Sequence, residues 1–233
     1  SNSDILAAVG VSFLLVVAIN RLLRSQNFFN EHLPEPNLVE LLDIVALGTI
    51  CDLVPMIGIN RLLVQSGIRV MNKKRNIGIT ALLDTLGIDN LIEPYHLGYY
   101  LGPCINAGGR VGESSLGVKL LTTPNKEEAN KIANKLKDYN EKRKQIEKDV
   151  FEKACLAFKE LKSKFINNKI LVVESDEWHP GVIGIVASRL VEKYKKPSMV
   201  ISLSNSICKG SARSLGSFDI GIFIKHLVEQ DIF

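Results

Sequence analysis

Paired metal ligands are missing from this chain. Its four cysteines (Cys51, Cys104, Cys155 and Cys208) are widely spaced and form no Cys-x-x-Cys pair. That excludes a zinc knuckle or a dense disulfide framework and fits free thiols in a reducing, cytoplasmic setting. Histidine is just as scarce: His32, His96, His179 and His226 are scattered, and no His-x-Asp, Asp-x-Asp or His-His pair occurs. No apolar run reaches the roughly 20 residues that a membrane helix needs. The longest, ILAAVGVSFLLVVAI, runs from Ile5 to Ile19 and stops at Asn20-Arg21. Ser1 to Asp4 carries an acid where a signal peptide needs a basic segment. The run therefore predicts a buried helix capped by Ser3 or Asp4, and no membrane partner. With 233 residues, 46% hydrophobic and 23% charged, the composition excludes a disordered tail and a collagen-like rod and leaves one or two compact units. A net charge of +4 only hints at a polyanionic partner, so the placement of the cations matters more than their sum.

The organisation changes along the chain. Leu41 to Ile50 is nearly all apolar and flows into Cys51-Asp52-Leu53-Val54-Pro55. Asn60–Met71 has helical spacing, Asn72–Asn76 reads as a basic turn, and Ile79–Leu86 reads as a short helix ended by Gly87. Pro103 to Arg110 reads as a glycine-rich loop with one cation. Pro124 and Asn125 open the longest helical pattern, about Lys126 to Phe165, with Ile132, Leu136, Tyr139, Ile146 and Val150 on one stripe. Past Asn167-Asn168 the period shortens. Lys169–Val173, Pro197–Leu203 and Ser206–Ala212 read as β runs, with helices over Val182–Tyr194 and Asp219–Leu227. The expected class is α/β: a helical part, a long connecting helix, and a small mixed-sheet domain.

Four places could carry chemistry. Asp52 ends an apolar run, which suits either a helix cap or a carboxylate on the floor of a divalent-metal site. The segment Gly102–Arg110 has small residues that let backbone N–H groups approach an anion, and Arg110 adds a planar fork; a plain turn has the same composition. His179 stands at a predicted helix start, where an anion is favoured and a capping histidine is equally at home; Arg189, further along that helix, suits an anion contact or a plain surface position. Lys209-Gly210-Ser211-Ala212-Arg213 interleaves hydroxyls with cations, as in a phosphate clamp or a blunted strand edge.

Taken in order, LLDIVALGTICDLVP, GPCINAGGRVGESSLGVKLL, EWHPGVIGIVASRL and KGSARS resemble the RecJ family, single-stranded-DNA-specific 5′→3′ exonucleases of the DHH phosphoesterase superfamily. The resemblance runs from about Leu6 to Ile224. It implies the C-terminal helical part of a DHH domain at 1–124, a connecting helix at 125–166 and an incomplete DHH-associated domain at 167–233. It makes Asp52 a catalytic metal ligand for Mn²⁺ or Mg²⁺, and Arg110, with Asn106 beside it, a contact to the DNA strand. Ser211 and Arg213 match a phosphate-binding pair, Lys209 joins the passage wall, and His179 and Arg189 belong to the associated domain's second motif. Cys104 departs from the family, which has an arginine there.

The resemblance also implies that the family's other metal ligands precede Ser1, that a Gly-Gly-His segment follows Phe233, and that the first helix packs under a parallel sheet. The expected activity is metal-dependent phosphodiester hydrolysis in DNA repair and recombination. Two cations about 3.5–4 Å apart would serve it, and a narrow basic passage would select single strands. As an internal or C-terminal piece of such an enzyme, the isolated chain is expected to bind single-stranded DNA weakly with little or no nuclease activity; a separate N-terminal polypeptide carrying the remaining metal ligands is a candidate partner. Three alternatives stay open: a non-catalytic strand-binding module or half of a split nuclease, a DHH phosphodiesterase for short oligonucleotides or cyclic dinucleotides, and a decayed product that does not fold.

Overall fold

A computed structural model describes residues 5–164, 169–204 and 207–232, without the side chains of 161–164, 204 and 207. Ser3, Asp4, Phe165, Asn167, Asn168 and Ser206, which the sequence reading uses, lie outside the described residues. The chain divides into two compact units, Ser1–Gly108 with Glu113–Asn140, and Gly109–Gly112 with Glu141–Phe233.

The first unit is helical: α1 (Ala8–Ser25), α2 (Leu42–Cys51), α3 (Gly58–Met71), α4 (Ile77–Leu86), α5 (Pro94–His96), α6 (Gly102–Val111) up to Gly108, its last three residues belonging to the second unit, α7 (Leu116–Thr122) and the start of α8 (Lys126–Lys164). α2 has no polar face because it is covered on two sides. Ala46 and Leu47 join the main core with Met71, Leu82, Leu97, Leu120 and Leu136, whereas Leu42 and Val45 join a smaller cluster with Leu63 and Val70. α4 starts where the Asn76 side chain accepts the Ile79 N–H at 3.0 Å, and Gly87 follows it with a φ of 68°. α8 is held at its start by Asn125, whose side chain accepts the Glu127 and Glu128 N–H groups at 2.9 and 3.1 Å.

Two expectations are corrected here. α1 is a helix but not a buried one: of its residues only Gly10 and Asn20 are buried, and no side chain caps its start at Ala7. Val9 and Phe13, with Leu6 just ahead of the helix, pack on the smaller cluster, while Val11, Leu14, Leu15, Val16, Val17, Ile19 and Leu22 are exposed. Apolar composition records a demand for burial, and this unit meets it along one stripe only. By length and composition alone α1 is apolar enough to cross a membrane. The second correction concerns Pro103–Arg110, which is α6 rather than a loop. A proline inside a helix removes a backbone donor and crowds the preceding turn. Here the wide π-turn Leu97–Leu101 directly before Gly102 absorbs the misfit, so α5, the π-turn and α6 run on as one rod.

The second unit packs the end of α8 and α9 (Ile183–Tyr194) with three strands, β1 (Leu171–Ser175), β2 (Ser198–Ser204) and β3 (Ile207–Arg213), followed by α10 (Ile220–Glu229). β1 and β2 are parallel, joined through α9, and β3 returns antiparallel along β2. Its core contains Val150, Ala154 and Phe158 of α8, Val186 and Leu190 of α9, and Val173 and Val200 of the sheet. The apolar stripe on α8 thus serves both cores: Ile132 and Leu136 face the first, Val150 the second.

Candidate nucleic-acid interface

The turn between β1 and α9 sets the geometry. Buried Trp178 is pinned through its carbonyl, which accepts the Ser202 hydroxyl at 2.6 Å. One residue later the Nδ1 of His179 accepts the Gly181 N–H at 3.0 Å, leaving Nε2 as the protonated nitrogen of the neutral ring. A Cβ on Gly181 would lie 2.0 Å from the Arg110 carbonyl oxygen, so only glycine lets the last turn of α6 come this close. The Arg110 Nη1 then donates to the Gly181 carbonyl at 3.2 Å.

β3 adds the second wall. Strand alternation puts Lys209, Ser211 and Arg213 on one face, in register with Ser202, Val200 and Ser198 of β2. The Arg213 Nε donates to the Ser188 hydroxyl at 3.1 Å, and its Nη1 donates to Ser211 Oγ at 3.2 Å and the Ala212 carbonyl at 2.8 Å. A Cβ on Gly184, in the first turn of α9, would sit 3.1 Å from both Arg213 Nη2 and Ser211 Oγ. The arginine fork and the serine hydroxyl therefore lie against a helix start that has no side chain at that position.

In the same unit α8 contributes Arg143, Glu147 and Phe151, spaced one turn apart. Glu147 accepts from Arg143 at 2.5 Å through Oε2 and from Arg189 at 3.1 Å through Oε1. The Arg189 guanidinium also lies over the Phe151 ring, 4.1 Å from its centroid. Arg110 reaches solvent, yet its proton affinity is lowered, first by desolvation and then by repulsion from Arg143; Glu147 opposes this, and Arg213 adds to it. A group of cations under mutual repulsion is suited to an anion, whose arrival relieves that repulsion.

Of the residues singled out in the sequence, Arg110, His179, Ser211 and Arg213 thus fall in one unit around the α9 start, and Arg189 lies in the same unit further along α9, against Glu147 and Phe151. Lys209 shares the face of Ser211 and Arg213 and is exposed. Asp52 and Asn106 belong to the first unit and are exposed. Asp52 caps the C-terminus of α2, its N–H donating to the Gly48 carbonyl at 3.0 Å. Asn106 lines a cavity of about 180 Å³ with Gly48, Cys51 and Ile105. Cys104 is buried, its Sγ accepting from Asn140 at 3.3 Å. Among the described residues no three His, Cys, Asp or Glu side chains gather as a metal site, so they do not by themselves fit a cation centre. Arg143, Glu147, Phe151 and Ser188 join this group without having stood out in the sequence. The i, i+4 Arg–Glu spacing in RKQIE is the available signal, but on a helix dense with Lys and Glu it reads as solvated surface.

Comparison with known proteins agrees with the family resemblance. Residues 167–230 match the DHHA1 domain family. The single-stranded-DNA-specific exonuclease RecJ of Escherichia coli (strain K12) is 40% identical over 218 residues, 91% of this chain and 38% of the relative. RecJ from Thermus thermophilus, solved in complex with Mn²⁺, superposes with a TM-score of 0.75 at 31% identity, covering 90% of this chain and 29% of that one. An exonuclease RecJ structure bound to manganese gives a TM-score of 0.74 at 30% identity, covering 94% and 50%. The chain therefore spans well under half the length of its Escherichia coli relative and resembles part of that relative in sequence, and its fold resembles part of the Thermus thermophilus RecJ structure.

Proposed function

We propose that this chain is the strand-holding part of a single-stranded-DNA-specific 5′→3′ exonuclease. The observation that carries the reading is the convergence of Arg110, Ser211 and Arg213 on the Gly181–Gly184 turn. Planar guanidinium forks, a hydroxyl and a helix start are the donor types that seat phosphate oxygens. Arg110, Lys209, Ser211 and Arg213 would hold the backbone. His179 keeps the Gly181 turn in shape, and Arg189 supplies a further cation; Asn106, in the first unit, is assigned a strand contact of its own.

Catalysis is assigned to the assembly rather than to the chain alone. Asp52 would serve as one ligand of Mn²⁺ or Mg²⁺, with the remaining ligands contributed by N-terminal polypeptide outside this chain. The exposed apolar faces of α1 are assigned to that polypeptide and not to a bilayer; Arg21 and Arg24 within the helix, and Asn20 bonded to Glu35 at 2.7 Å, support protein contact. A role in DNA repair and recombination belongs to the same reading, as does a cytoplasmic location, which the four free cysteines support. The absence of a metal cluster among the described residues favours a second reading for the chain by itself, a non-catalytic strand-binding module.

Fluorescence anisotropy with single-stranded and duplex oligonucleotides tests the proposal. The chain is expected to prefer the single strand, with affinity falling steeply as salt rises. Arg213→Ala should weaken binding about tenfold and reduce the salt slope by about one. Equal affinity for duplex, or no effect of Arg213→Ala, would overturn the reading. With Mn²⁺ added, the isolated chain should not digest a 5′ end; robust digestion would contradict the assignment of the remaining metal ligands to residues outside this chain.

A further inference from the structure

Arg143, Glu147 and Phe151 repeat every four residues along α8 and so form one stripe, part of which is nearly buried: the Arg143 and Glu147 side chains are each only 12% exposed. The Glu147 carboxylate divides its two oxygens between guanidiniums from two helices, Arg143 on its own and Arg189 on α9. Phe151, one turn further on, offers its ring face to the same Arg189. An arginine held by a carboxylate at its edge and an aromatic ring at its face has lost most of its rotational freedom, which for a free arginine is close to the largest of any side chain. Arg189 still keeps 42% of its side-chain surface open to solvent. It is both aimed and available.

A carboxylate set among cations also works against anion binding, because it cancels charge that a phosphate would otherwise meet. These two effects of Glu147 have opposite signs, and the geometry shows which dominates. Both carboxylate oxygens are engaged by guanidiniums. Without Glu147, Arg143 would sit in a nearly closed site lacking that partner, and Arg189 would lose its edge contact. Desolvated charge pairs depend on such partners far more than exposed ones do. We infer that Glu147 is a positioning residue for single-strand binding: with Phe151 it fixes the direction of Arg189 and Arg143, and this alignment outweighs the negative charge it brings. The inference rests on the strand-binding reading and extends it to residues on the connecting helix.

The two effects predict opposite results for one variant. Glu147→Gln removes a negative charge at nearly constant shape. If charge alone mattered, it would tighten oligonucleotide binding and steepen the salt dependence. Alignment predicts the reverse, binding weakened about tenfold with a slope no steeper than that of the parent chain. Phe151→Leu changes no charge and keeps an apolar side chain at a half-buried position, so it remains informative if Glu147→Gln does not fold; it should weaken binding about threefold. Anisotropy titrations of a single-stranded oligonucleotide at several salt concentrations, on the full chain and both variants, read these outcomes, with circular dichroism confirming the fold of each. Unchanged or tighter binding by folded Glu147→Gln would overturn the inference and leave the strand-binding reading intact; if that variant is unfolded, unchanged binding by Phe151→Leu does the same. If the parent chain does not bind the oligonucleotide at all, the functional reading fails, and the inference with it.

Discussion

Asp43 shows how far a single residue can depart from its sequence appearance. It stands in an apolar run, buried to 3% exposure, and accepts the Ile44 N–H at 2.6 Å. Burial is the main influence on its carboxyl and raises the pKa; backbone N–H groups oppose this, and Glu40 adds to it. The folded chain therefore holds this proton more tightly than the unfolded chain does. The stability it contributes is fully present below the ordinary aspartate pKa and is lost as pH rises through the higher folded value. Asp43→Asn should accordingly raise the thermal midpoint at neutral pH, and the gain should vanish as the pH is lowered into the acid range. Melting curves across pH check this; a midpoint that falls at pH 7 would show that the charged form is satisfied. Asp52 presents the opposite case. The sequence places it correctly at the end of an apolar element, but whether it caps or ligates depends on carboxylates brought from elsewhere, and no local pattern encodes those. Arg110 and Arg213 are legible as cations among small residues; their shared attachment to the Gly181–Gly184 turn is not, because it joins residues about a hundred positions apart in the chain.

At the level of elements, period and capping chemistry are reliable. Asn125 reads as the opening of the longest helix, and its side chain does accept two N–H groups of the first turn. Asn125→Ala should lower the unfolding free energy by about 1 kcal/mol, measured by urea titration, with helical content otherwise preserved. The three β runs and α9 lie within a few residues of their expected places for the same reason: the switch from a period of 3.6 to one of 2 is a local property. α6 escapes a local reading because proline and paired glycines usually end a helix. What sustains it is the π-turn just upstream and close packing, with a Cβ on Gly102 falling 2.4 Å from Cys51 Sγ. Glycine there serves closeness rather than flexibility. α1 misleads differently: its apolar composition reads as burial, although only its neighbours could supply the cover.

At the level of the whole molecule, each unit has its own core, and α8 contributes to both. Because no metal-ligand cluster exists among the described residues, stripping divalent ions with EDTA should change neither the melting curve nor oligonucleotide binding of the isolated chain. A fall in either would reveal a cation that the chain holds unaided. Composition and four short segments were enough to identify the architecture and its relatives, since hydrophobic period, caps and motif order are written in neighbouring residues. Which cations share a surface, which carboxylate aligns them, and which apolar helix goes uncovered were decided only on folding. Those properties depend on distances between segments far apart in the chain, and such distances are set by packing.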